Sequence, residues 1–289
     1  GVSMQTMHKA IRNLAESGLV RPTPRGTFLR RITPEYGQRL NAGIVGIVSQ
    51  PECRLEQDFF IVALTRTLKE YGLESILIQA EKRVLVNTEF WRNPKLCGYI
   101  FVYRSFYSVL AHQLRMANTP YVAANYLPET LPGHWVDFDS ESLWREMVQT
   151  LLNMNFTRIA LAVNFQNDKA PEHCHGIWQR LTRSFGIHNY LPSVDDFSNS
   201  EATFTKWLNS KPPPEVVIPV HGYPHQLKKK FEELGHPMKI AALKQDVYEQ
   251  NYAMLAQTTV EVFTAVVNNL PNCSCRNLVS WRHAEFELI

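Results

Sequence analysis

Residues 42–289 predict an α/β fold of two parallel sheets flanked by helices, arranged as two similar lobes. Two observations carry this. Short apolar runs alternate with amphipathic stretches along the whole segment, the signature of parallel strands covered by helices. The series breaks near Phe156 and then starts again. About 250 residues are ample for two such lobes. No close internal repeat or low-complexity tract is visible.

The elements follow in order. Residues 42–48 (AGIVGIV) form an unbroken apolar run, as in a strand buried on both faces. Residues 58–71 place Phe60, Ala63, Leu64, Leu68 and Tyr71 on one helical face. Residues 75–78 and 98–102 read as strands, 106–117 as a helix, and 120–123 and 135–138 as further strands. A helix runs from Ser140 to Met154 with Ser140 as its cap. The second series begins at Arg158–Val163, with helices over 174–185 and 201–208. Strand 216–220, helix 226–234, strand 239–243, helix 254–269 and strand 277–281 complete it. The N-lobe is expected over about 42–156 and the C-lobe over about 157–255, the last segment crossing back between them.

The first 31 residues are different in kind. Met7, Ala10, Ile11 and Leu14 recur at helical spacing, with Ser3 as N-cap and Gly18 as stop. Leu19–Arg21 and Thr27–Leu29 then read as two short strands around a turn containing Pro22, Pro24 and Gly26. Residues 1–40 hold seven basic and two acidic side chains, a net of +5, while the rest of the chain nets −2. A basic head on a slightly acidic body is an electrostatic footprint for phosphates. Residues 32–41, with Pro34 and Gly37 and no apolar period, read as a linker.

The head resembles the second half of a GntR-type winged helix-turn-helix. The resemblance rests on Ser3, Thr6, Lys9, Ala10, Leu14, Gly18, Leu19 and Val20, followed by Arg25-Gly26-Thr27-Phe28. It implies a recognition helix and a wing, with Ser3, Met4, Gln5, Thr6, His8, Lys9, Arg25, Gly26 and Thr27 meeting operator DNA. It also implies that the two helices opening such a module are missing here. That family commonly has Arg where Met4 and His8 stand. Arginine reads guanine through two hydrogen bonds and methionine cannot, so an operator sequence does not carry over.

The body resembles the effector domain of LacI/GalR-type repressors, a type I periplasmic-binding-protein-like fold. The motifs are Gly43-Ile-Val-Gly-Ile-Val48, Gly98-Tyr-Ile-Phe, Pro120-Tyr-Val, Val136-Asp-Phe-Asp139 and Asn155-Phe-x-Arg158-Ile-Ala-Leu. Ligands of parallel α/β sheets sit beyond the carboxyl ends of strands. The candidates there are Gln50, Asp58, Phe59, Arg104, Asn125 and Tyr126. The resemblance adds Asp139, where the family's Asp opens a helix. It puts His173 at the family's ligand-holding Arg, His221 at its Asn-Asp pair, and Gln245-Asp246 at a later Asp. Carboxylates, amides, Arg and an aromatic plate suit a polyol. The two His positions depart from the family and imply a different ligand from the commonest ones.

No cofactor or catalytic motif stands out: GxGxxG, a P-loop, HExxH and GxSxG are all absent from the sequence. His173-Cys174-His175 lacks a fourth metal ligand, and adjacent residues diverge around a helix. Five cysteines without a framework fit a reducing compartment. No apolar stretch approaches the ~20 residues of a membrane span, and no signal peptide is seen. Taken together, the sequence implies a cytoplasmic, dimeric, non-enzymatic regulator. It would bind operator DNA and a sugar-like effector in the cleft between its lobes, the dimer face including the helix at 106–117. A free-standing solute receptor and an α/β enzyme acting on a sugar or nucleotide remain open at this point.

Overall fold

Why the chain forms strands where it does is clearest in β8, Ile159–Val163. Ile159 and Leu161 pack into one apolar cluster, Ala160 and Ala162 into another. Both faces are buried, so the strand reads as a continuous apolar run. The computed structural model describes residues 9, 20–23, 26–29, 43–49, 58–79, 88–93, 95–105, 108–125, 133–163, 170–193, 201–220, 224–268, 276–281 and 285–289. They divide into two units: Gly1–Trp135 with Ala256–Arg276, and Val136–Leu255 with Asn277–Ile289.

In the first unit, β1 (Val20–Thr23) and β2 (Gly26–Leu29) pair antiparallel, Val20 with Leu29 through Thr23 with Gly26. The expected hairpin is therefore present, with Pro22 inside β1. The helix expected at Met7–Leu14 lies outside the described residues except for Lys9, which is helical and exposed. A parallel sheet runs β6-β5-β3-β4, from β3 (Ile44–Ser49), β4 (Glu74–Gln79), β5 (Leu96–Val102) and β6 (Tyr121–Ala124). At Gly46 a Cβ would lie 2.6 Å from the Tyr99 ring, so only glycine lets Tyr99 reach Trp91 in the core. Three helices accompany the sheet: α1 (Phe59–Glu70), α2 (Thr88–Trp91) and α3 (Ser108–Met116).

The second unit holds β7 (His134–Phe138, from Val136 on), α4 (Ser140–Asn153), β8, α5 (Ala170–Phe185) and β9 (Tyr190–Ser193). There follow α6 (Glu201–Leu208), β10 (Val216–Val220), α7 (Pro224–Glu233) and β11 (Lys239–Leu243). Next come α8 (Gln245–Val267), whose last turns belong to the first unit, then β12 (Arg276–Val279) and β13 (Phe286–Leu288). The sheet order is β13-β11-β10-β8-β9. β9, β8, β10 and β11 are parallel; β13 returns antiparallel along β11. Trp178 and Trp207 are core residues, and the Trp178 indole donates to the Tyr190 carbonyl at 3.1 Å.

Five helices end alike. The amide of the residue just past the left-handed position bonds back five residues: Leu73 to Leu68, Thr119 to Leu114, Phe156 to Leu151, Ile187 to Thr182, His236 to Phe231. Gly72 at φ 72° and Asn155 at φ 67° show the two residue types that tolerate this turn.

Three elements were not expected from the sequence, namely α2, β9 and β13. Helix α8 starts nine residues before the expected Met254.

Candidate functional site

Parallel strands share a direction, so the residues that follow β3, β5 and β6 gather at one edge of the first unit's sheet. Asp58 stands there as the N-cap of α1, accepting from the Ile61 amide at 3.0 Å. Its carboxylate also accepts from the Tyr103 hydroxyl, 2.7 Å from Oδ1 and 2.6 Å from Oδ2. Tyr103 follows β5 directly and has φ 55°, a conformation that costs a bulky residue of order 1–3 kcal/mol. The Tyr103 ring meets Phe60 edge-on at 6.2 Å. Two residues on, the buried Ser105 hydroxyl lies 2.9 Å from the Val48 carbonyl and 2.7 Å from that of Val102, tying the turn to β3. Asn125 follows β6 on the neighbouring strand, half-buried and also left-handed at φ 55°. Phe59 opens α1 with 44% of its surface exposed. A carboxylate, a phenol, an amide and an exposed ring thus collect at one sheet edge.

In the second unit the strand-end acids are used differently. Asp139 caps α4, accepting from the Ser142 amide at 3.1 Å and the Ser142 hydroxyl at 2.5 Å. Asp246, exposed at the start of α8, accepts from the next amide, Val247, at 3.0 Å. Gln245 donates to Glu249 at 3.0 Å. Close by in sequence, Asp137 is partly exposed as a residue, but its carboxyl is buried and accepts from its own neighbour, the Phe138 amide, at 2.8 Å. Burial pushes its pKa up to about 7, against the lowering effect of that hydrogen bond. Phe138, Trp281, Tyr248 and Tyr252 form an aromatic cluster: Phe138 lies 4.5 Å from Trp281 and 5.4 Å from Tyr252, and Tyr248 6.0 Å from Trp281. The Trp281 indole N–H is buried without a hydrogen-bond partner.

Of the residues singled out from the sequence, Asp58, Phe59 and Asn125 stand at the first unit's sheet edge, and Asp139, Gln245 and Asp246 at helix starts in the second. Arg104 and His173 fall within described elements, but their side chains lie outside the described residues, as do Gln50, Tyr126 and His221 altogether. Ser3, Met4, Gln5, Thr6, His8 and Arg25 of the head are likewise outside, and only the backbone of Gly26 and Thr27 is described. Sequence reasoning missed Tyr103, choosing its neighbour Arg104; the signal was a tyrosine directly after a five-residue buried run. It also missed Tyr248 and Tyr252, an i, i+4 pair at the true start of α8.

Among the described residues no group of three His, Cys, Asp or Glu side chains is placed to hold a metal. No described helix is long and apolar enough to cross a membrane.

No protein-family model matches the chain, and no curated protein does. Solved structures do. A LacI-family regulatory protein from Chloroflexus aggregans is similar with a TM-score of 0.64 at 13% identity, over 82% of this chain and 95% of that one. The transcriptional regulator CelR in complex with cellobiose gives 0.64 at 16% identity, over 100% of this chain and 90% of that one. The Lac repressor bound to ONPG gives 0.63 at 14%, again over 100% and 90%. At these identities the likeness is one of fold: the chain has the α/β fold, parallel sheets with flanking helices, seen in LacI-family transcription regulators.

Proposed function

We propose that this chain is a ligand-responsive transcriptional regulator that works in the cytoplasm as a dimer. Its effector is a sugar or sugar derivative taken at the carboxyl edges of its sheets. Its basic head, a GntR-type recognition helix and wing joined to a LacI-type effector domain, contacts operator DNA. The observation that carries the reading is the group formed by Asp58, Tyr103, Asn125 and Phe59, at the sheet edge where α/β proteins take ligands. Carboxylate and amide suit vicinal hydroxyls, and an exposed ring suits the C–H face of a pyranose. Two of the similar structures carry a glycoside, cellobiose in one and ONPG in the other. A saturating ligand stabilises the state that binds it by several kcal/mol. Coupling of effector to DNA affinity is typically worth about 1–3 kcal/mol.

Two measurements test this. A thermal-shift panel of hexoses, pentoses and disaccharides, cellobiose included, is expected to raise Tm for one member and to lose the rise in Asp58→Ala. Retention of DNA from upstream of its own coding sequence, in a chain with a whole winged module, is expected to change with that sugar. Binding of the sugar without any DNA retention would favour a solute receptor instead. Conversion of the sugar to product would favour an enzyme.

A further inference from the structure

The Asp58 carboxylate is already engaged. Its Oδ1 accepts from the Ile61 amide and from the Tyr103 hydroxyl, and its Oδ2 accepts from the same hydroxyl. The phenol oxygen lies 2.7 Å from one carboxylate oxygen and 2.6 Å from the other, so it stands in the fork between them. That fork is where a carboxylate takes paired donors, such as a guanidinium or two neighbouring hydroxyls. One hydroxyl carries one hydrogen, so the two contacts share a single donor. A vicinal diol brings two.

The tyrosine is held there against its backbone. Two strand ends at this sheet edge are left-handed, Tyr103 and Asn125, both at φ 55°. Asparagine tolerates that angle and a bulky side chain does not. Just beyond, the buried Ser105 hydroxyl lies within hydrogen-bond distance of the Val48 and Val102 carbonyls. The turn is therefore anchored after the tyrosine, and Tyr103 can shift while Ser105 and β5 stay in place. Asp58 and Tyr103 both keep part of their surface exposed, so the pair is open to exchange with a solute.

We propose that the Tyr103 hydroxyl is a built-in competitor for the Asp58 carboxylate. It occupies the fork in place of a ligand, and a sugar's vicinal diol displaces it. The inference rests on the sugar-binding reading above and adds how that site is regulated. Displacement exchanges one shared donor for two and releases Tyr103 from the contact that fixes its backbone. Tyr103 thereby sets the concentration at which the site fills. The carboxylate is free for a diol only in the fraction of molecules whose tyrosine has left, and the apparent dissociation constant rises as that fraction falls.

Titration calorimetry on the wild type and Tyr103→Phe, with the same panel of hexoses, pentoses and disaccharides, tests it. Phenylalanine keeps the ring that meets Phe60 and removes the competing hydroxyl. The panel sugar that binds is expected to bind Tyr103→Phe about fivefold more tightly, the usual worth of one hydrogen bond. If Tyr103→Phe loses the wild-type circular dichroism, Tyr103→Gly, which suits the left-handed angle and carries no donor, is expected to show the same gain. A second readout follows the tyrosine itself. In protein carrying 3-fluorotyrosine, the fluorine resonance that is missing from Tyr103→Phe belongs to Tyr103. Saturation with the sugar should move it toward its position in sugar-free Asp58→Ala. Equal or weaker binding by Tyr103→Phe, or a resonance unmoved at saturation, overturns the competitor and leaves the sugar site standing. No panel sugar bound by either protein overturns the site and the competitor with it.

Discussion

Asp58 and Asp139 occupy matching places in the two units, each closing the turn between a strand and the helix that follows it. Each caps its helix through the amide three residues on, at 3.0 Å and 3.1 Å. They differ in what else the carboxylate holds. Asp139 takes the hydroxyl of Ser142, three residues away on its own helix. Asp58 takes the hydroxyl of Tyr103, 45 residues away on another strand end. The first is complete within one helical turn. The second joins two loops at the edge of a sheet, and its geometry is held against an unfavourable backbone angle at Tyr103. A local cap explains itself as secondary structure, whereas a contact that spans two loops and retains strain is where a site is to be sought.

Asp137 extends the comparison to a third acid with neither kind of support, and removing it has the largest expected effect. Its carboxyl is buried with one short bond from the adjacent amide, and its pKa rises from 3.8 to about 7. Between about pH 4 and pH 7 the folded chain then holds a proton that the unfolded chain has released. Stability is fully present below that window, falls as pH rises through it, and levels off above. The swing has a ceiling of about 4 kcal/mol. Urea unfolding of the wild type and Asp137→Asn at steps from pH 4 to pH 8 should show the wild-type decline and its removal in the variant. Parallel curves would show that Asp137 titrates normally and is supported after all.

The contrast between the two caps is broken or sharpened next. Asp139→Ala should cost about 1 kcal/mol, the usual worth of an N-cap. Asp58→Ala should cost about 2–4 kcal/mol, because it also removes the charge-assisted bond from the Tyr103 hydroxyl. Asp58→Asn keeps the cap, asparagine ranking beside aspartate there, and should recover about half of the loss. A double-mutant cycle of Asp58→Ala with Tyr103→Phe should give a coupling of about 1 kcal/mol or more. Equal costs for the two alanine variants, with no coupling, would remove the distinction between a local cap and a loop-joining acid.

How much of this was legible in the sequence follows from the range of the interactions involved. The central strands were readable because burial on both faces turns them into unbroken apolar runs, as in β8 and β10. β9 and β13 were not, because they span four and three residues and carry no period of their own. The start of α8 was hidden because Tyr248, Asn251 and Tyr252 interrupt its apolar face, although Asn251 is fully buried and donates to the Val247 carbonyl at 2.6 Å. The caps were legible in part: Asp58 precedes an amphipathic run, but at α4 the expected cap, Ser140, is the first helical residue and Asp139 takes the cap. Tyr103 was not legible, since its partner lies 45 residues away and its left-handed turn, normally a glycine or asparagine signal, falls on a tyrosine. Strand-end counting reaches the right turn there and misses the side chain by one residue.

The smallest effect concerns what surrounds the Asp139 cap. Glu141, in the first turn of α4, accepts from Arg180 of α5 at 2.6 Å and from Arg145 at 3.0 Å. The Arg180 hydrogen bond, aided by both guanidinium charges, holds its carboxyl below the usual range. A lowered carboxylate pKa adds stability above the unfolded value, near pH 4.5, that is lost as pH falls through the folded one. Yet the Arg180 side chain is 58% exposed, and Arg145 stays with Glu141 when Arg180 is gone. Exposed pairs are worth little and are screened by salt. Arg180→Ala should therefore cost about 0.5 kcal/mol at neutral pH in low salt, and nothing measurable in 1 M salt, by urea unfolding. A salt-independent cost of about 2 kcal/mol or more would mean that the α4–α5 clasp is shielded from water. The second unit's helix start would then be held by a long-range contact as the first unit's is, and the contrast between the two would rest on Ser142 alone.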